Sequence, residues 1–116
     1  MSKSRKLIPK SMLKFIAILL SAIFFFSAPA WADNSPTQLF ELQCAGCHVN
    51  GGNIIRRGKT LKLKALEKNG YGTREAIVEI ITYGKGNMSA YKDRLSETEI
   101  QSVAEYVLDR ANQNWN

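Results

Sequence analysis

Three features of the sequence predict an all-α fold. Ile100, Val103, Ala104, Val107, Leu108 and Ala111 recur at steps of three and four, one continuous apolar stripe along a helix. Ser96-Glu97-Thr98-Glu99, just before it, is a capping box with Ser96 as N-cap and Glu99 at the third helical position. Only Leu61-Lys62-Leu63-Lys64 alternates as a strand would, and no second strand is available to pair with it.

The elements follow in chain order. Residues 1–32 have the composition of an export leader. Lys3, Arg5, Lys6, Lys10 and Lys14 form a positive segment with no acidic residue, and Phe15 to Ser27 is an apolar run of 13 residues. A membrane-spanning helix needs about 20. Ala30-Trp31-Ala32 offers a small-x-small processing site, so the folded domain is expected to be 33–116, with no stable membrane insertion after cleavage. An uncleaved anchor is the competing reading. Export would place the domain in an oxidising compartment.

Within 33–116, Ser35 is the expected N-cap of the first helix, with Pro36 at its first position, where a missing N–H is harmless. That helix runs into Cys44-Ala45-Gly46-Cys47-His48, and Asn50-Gly51-Gly52-Asn53 is a turn signal after it. Thr60 to Asn69 is read as helix, terminated at Gly70. Thr73 caps the next, Arg74 to Thr82, which Gly84 ends and whose Ile77, Val78, Ile80 and Ile81 form a buried face.

Charge excludes one class of partner. Five of the 16 basic residues lie in the leader, leaving 11 against 10 acidic residues in 33–116, so the chain's high pI gives no support for nucleic-acid binding. The balance is uneven, because Arg56, Arg57, Lys59, Lys62, Lys64 and Lys68 cluster around Glu67 alone. That cluster is a candidate docking patch for an acidic partner, with a plain solvated helix face as the alternative.

The C-x-x-C-H run carries the chemistry. It is the attachment pattern for haem c: each thiol adds to one vinyl group of the porphyrin, and the adjacent imidazole ligates the iron. Cys44, Cys47 and His48 are the only cysteines and the only histidine in the chain. A structural zinc site wants four ligands and finds three. A thioredoxin-type dithiol wants a strand in front, where Thr37 to Gln43 reads as helix. A simple disulfide leaves His48 unexplained. One haem c per chain, held covalently by Cys44 and Cys47 with His48 as proximal iron ligand, uses all three residues. A domain this small is marginal on its own core, so without haem it is expected to be largely unfolded.

The second axial ligand decides what such a haem does. Met88 is the only methionine in 33–116 and lies in the irregular stretch Gly84 to Tyr91, which can pass over the far face of a haem. Met/His ligation closes the coordination sphere and raises the potential, which leaves electron transfer rather than catalysis. A core methionine with lysine or water on the iron is one competing reading, and a ligand-sensing protein with labile Met88 is another.

These residues together resemble cytochrome c6, a class I c-type cytochrome family of cyanobacteria and algae. The resemblance rests on Phe40 four residues before Cys44, the C-x-x-C-H run, Asn53-Ile54-Ile55, Lys59-Thr60-Leu61, Gly84-Lys85-Gly86-Asn87-Met88, Arg94-Leu95-Ser96 and Glu105-Tyr106-Val107-Leu108. It covers essentially all of 33–116. It implies about four helices around one haem, with the first and last crossed near Phe40 and Tyr106. It also implies a monomeric, non-enzymatic one-electron carrier in the thylakoid lumen or periplasm of a cyanobacterium. The partners implied are the cytochrome b6f complex and photosystem I or a terminal oxidase, and Arg94 aligns with an arginine that the family uses in docking.

Three departures matter. Met88-Ser89-Ala90-Tyr91 lacks the proline usual after the ligand, and Pro36 replaces a helix-contact glycine, which implies a later start or altered packing. Ile80 stands where photosynthetic members carry a haem-facing glutamine. Ile80 and the stretch from Asn53 to Lys59, including Arg56 and Arg57, look more like the side branches called c6B and c6C. That likeness implies a lower potential and leaves room for a different redox partner.

Overall fold

The computed structural model describes residues 6–25 and 34–116. The chain divides into two units, Met1–Ala32 and Asp33–Asn116. In the first, helix α1 spans Lys10–Phe25. No helix among the described residues is long and apolar enough to cross a membrane. The expected processing site at Ala30-Trp31-Ala32 lies outside the described residues.

The second unit holds α2 (Pro36–Gln43), α3 (Ala45–His48), α4 (Leu63–Lys68), α5 (Arg74–Tyr83) and α6 (Glu97–Asn112). Its only bridge among the described residues is the isolated pair Lys85–Met88, so the fold is all-α. Helix α6 starts at its capping box: Ser96 Oγ accepts from Glu99 N–H at 3.1 Å, while Ser96 N–H donates to Glu99 Oε2 at 2.9 Å. Helix α2 is capped in the same reciprocal way by Ser35 and Gln38 and begins at Pro36, not later. Thr73 caps α5 through Ala76 N–H.

Helix α6 packs on α2 and α5 and touches α4. Its stripe residues Ile100, Val103, Ala104, Val107 and Ala111 are buried with Leu39 and Phe40 of α2, Ile77 and Ile81 of α5, and Leu66 of α4. Phe40 and Tyr106 meet where α2 and α6 contact, with ring centroids 5.4 Å apart.

Two expectations about helix limits change. The first helix does not run unbroken into the C-x-x-C-H segment. Cys44 (φ −119°) breaks it, and Cys47 and His48 donate back to Cys44 carbonyl at 3.1 and 2.9 Å, closing a separate turn. The Thr60–Asn69 helix shrinks to Leu63–Lys68, because Thr60 and Lys62 are extended and no side chain caps the start. The alternating Leu61-Lys62-Leu63-Lys64 straddles that boundary.

Gly84 ends α5 at φ +68° and ψ 177°, a conformation that essentially only glycine adopts. A Cβ there would run into the Met88 carbonyl and lie 2.7 Å from Ala90 N. Gly84→Ala is expected to lower unfolding free energy by at least about 2 kcal/mol, measured by guanidinium titration of the haem-loaded protein.

Candidate haem-binding site

The elements enclose a cavity of about 530 Å³, within the usual range for a cofactor or drug-sized ligand. Cys44, Cys47 and His48 line one part of it, and Met88 lines it from the loop between α5 and α6. Apolar side chains from three other helices, including Leu66, Ile77, Ile81 and Val107, complete the wall.

The break at Cys44 makes its two thiols unlike each other. Cys44 is half-buried and Cys47 exposed, both as free thiols. Burial alone pushes the Cys44 thiol up to about 11, so it is protonated at neutral pH. His48 Nδ1–H donates to the Gly52 carbonyl at 2.8 Å, which leaves Nε2 with its lone pair. In a metal-ligating histidine such a bond fixes the tautomer and the orientation of the ring. Among the described residues no three His, Cys, Asp or Glu side chains gather into a metal-holding group, as a zinc site would need.

The residue before Gly52 is packed from behind. Gly51 (φ +73°) lies against the Trp115 indole so closely that any Cβ would overlap the ring. Gly51 carbonyl accepts from Leu61 N–H at 2.7 Å, and Trp115 Nε1–H donates to Leu61 carbonyl at 3.0 Å. The indole also packs 5.2 Å from Phe40 and 6.4 Å from Tyr106, centroid to centroid.

Met88 is placed by a short hairpin. Lys85 and Met88 exchange both backbone hydrogen bonds at 3.0 Å across Gly86-Asn87. Gly86 has the positive φ (+57°) that the first position of such a two-residue turn favours. Tyr91 ends the loop: its N–H donates to Ile81 carbonyl at 2.9 Å, and its hydroxyl to Gln43 carbonyl at 2.8 Å.

The remaining expected residues divide. Ile80 and Asn53 both line the cavity. Asn53, however, spends its side chain on its own loop: Oδ1 accepts from Ile55 and Arg56 N–H at 3.0 and 2.7 Å, and Nδ2 donates to Lys59 carbonyl. Arg56 and Lys59 line the cavity as well, whereas Arg57 does not. Lys59 Nζ is engaged with Asn69 Oδ1 at 2.8 Å. Arg94 is exposed, its guanidinium 4.2 Å above the Tyr91 ring.

Two free thiols, an imidazole with its other nitrogen committed and a thioether, all lining one largely apolar cavity, are together a donor set that fits haem c. The chain is also similar to known proteins. The family model described as "Cytochrome C oxidase, cbb3-type, subunit III" matches residues 32–107, a span that includes the thiols, His48 and Met88. A "Cytochrome c6-like" protein of Nostoc sp. (strain PCC 7120) is 53% identical over 110 residues, covering 90% of this chain and 99% of that one. The crystal structure of cytochrome c6C from Synechococcus sp. PCC 7002 shares 57% identity with a TM-score of 0.68, over 71% of this chain and all of that one. Cytochrome c6B from Synechococcus sp. WH8102 gives 49% identity and a TM-score of 0.68, over 72% and 96%. The chain thus belongs to the cytochrome c6 and c6-like proteins, class I cytochromes c that carry electrons rather than catalyse reactions.

Proposed function

We propose that the unit Asp33–Asn116 binds one haem c, joined covalently to Cys44 and Cys47 and ligated by His48 and Met88. It works as an exported one-electron carrier in the thylakoid lumen or periplasm. The observation that carries this reading is one cavity lined by both thiols, the imidazole and the thioether. When bound, the haem supplies an iron that changes valence by one electron. His48, tied to Gly52, holds its ring in one orientation, so little reorganises between redox states. The apolar wall excludes water from the porphyrin faces, and Met88 leaves no seat for an exogenous ligand.

Family membership implies protein redox partners. Cytochrome b6f as donor, with photosystem I or a terminal oxidase as acceptor, fits a monomeric carrier with an uneven surface. Arg56 and Arg57 at the loop beside the cavity, with Arg94 on the Met88 side, are the residues proposed to steer it. Lys59 is the weaker member, because its ammonium is shared with Asn69. Stopped-flow and flash kinetics with isolated b6f and photosystem I test this reading. Association rates should fall steeply with added salt and flatten in Arg56→Gln/Arg57→Gln. A flat salt profile in the wild type removes the patch, and no electron exchange with either complex removes the assignment of partners.

A second reading, a low-potential side-branch carrier with another partner, is favoured by Ile80 at the cavity wall. An isoleucine presents no amide dipole there. Ile80→Gln is expected to raise the potential by roughly 40 mV, the equivalent of about one hydrogen bond, in a spectroelectrochemical titration. No rise refutes the role given to Ile80.

A further inference from the structure

We infer that Tyr91 is a positioning residue that holds the Met88 loop against the haem-attachment segment and so keeps the sulfur on the iron. The inference rests on the assignment of Met88 as axial ligand made above.

The loop has few ties of its own. The Lys85–Met88 bridge is internal to it and moves with it. Ser89 and Ala90 are exposed, and among the described residues no hydrogen bond runs from either to the rest of the unit. No proline stiffens the stretch from Met88 to Tyr91. The first fixed point after Met88 is therefore Tyr91, packed against the core and bonded through its N–H to Ile81.

Its hydroxyl does something the backbone bond does not. Gln43 carbonyl belongs to the last turn of α2, and in an unbroken helix it would accept from Cys47 N–H. The break at Cys44 diverts Cys47 N–H to the Cys44 carbonyl and orphans that of Gln43. Tyr91 fills the vacancy at 2.8 Å, one residue before the first attachment cysteine. One side-chain bond thus joins the loop bearing Met88 to the segment bearing Cys44, Cys47 and His48. Movement of Met88 away from the cavity either strains this bond or leaves a part-buried carbonyl unpaired.

The test is imidazole titration of the ferric holoprotein, wild type against Tyr91→Phe, followed by the far-red sulfur-to-iron charge-transfer band. Imidazole nitrogen replaces Met88 sulfur on iron that stays ferric, so no electron moves. Phenylalanine keeps the ring packing and removes only the hydroxyl. Tyr91→Phe is expected to lose the band at about fivefold lower imidazole, with the helix-unfolding midpoint by circular dichroism falling only by the several degrees that about one hydrogen bond costs. Ser102→Ala, which deletes a hydroxyl bond within α6, should leave imidazole binding unchanged. Equal imidazole affinity in Tyr91→Phe and wild type overturns the inference but not the ligand assignment. Absence of the band in wild type overturns both.

Discussion

Met88→Ala, purified with haem attached, is expected to lose the far-red band, take up carbon monoxide when reduced, and fall in potential by a sizeable part of the roughly 0.8 V over which axial ligands tune haem. The reason is stoichiometric. One histidine and, in 33–116, one methionine are available, and both line the same cavity. His48 sits in the attachment segment and is anchored to Gly52, so its removal would confound ligation with attachment. Met88 sits apart, on a hairpin bonded mainly to itself, so truncating it opens the iron with little loss of fold. Optical titration under carbon monoxide and redox potentiometry read the effect together. An unchanged potential and a closed iron in Met88→Ala would refute the assignment. Avid carbon monoxide uptake by the wild type would favour the ligand-sensing alternative.

A comparable effect is expected on folding. Cys44→Ser/Cys47→Ser, which cannot retain haem covalently, should show a small fraction of the wild-type helical signal in far-UV circular dichroism once free haem is removed. Phe40, Leu66, Ile77, Ile81, Val103 and Val107 are core residues and cavity lining at once. Without a porphyrin they lose contacts on one side. A space of about 530 Å³ that opens to solvent admits water against these apolar walls, and a small domain has only about 5–15 kcal/mol of stability to lose. Full native helicity in the haem-free variant would show that the helices pack without the cofactor.

Sequence periodicity reached the parts of this fold that local rules control. The stripe and capping box of α6, the Thr73 cap of α5 and the Pro36 start of α2 lie where spacing and cap chemistry place them. A candidate ligand set can be proposed from the sequence because 33–116 offers so few donors of each kind. What escaped depends on contacts between distant segments. Nothing near Cys44 signals the helix break, whose orphaned carbonyl is satisfied by Tyr91, 48 positions away in the chain. Trp115 follows a polar Asn112-Gln113-Asn114 run with no apolar period, and both Asn114 and Trp115 have positive φ. The one available hint was a lone tryptophan in 33–116, a costly residue to leave in water. Lys59 read as a free surface charge until Asn69 was brought beside it.

The Phe40–Tyr106–Trp115 cluster bears on the order of events during folding. Phe40 and Gly51 stand far ahead of Trp115 in the chain, yet the indole packs on both. Closing so long a loop is slow compared with forming local helix. Until the turn bearing Trp115 docks, the backbone at Gly51 lacks the indole that lies against it. The loop that orients the His48 imidazole is therefore among the later parts of this unit to become rigid.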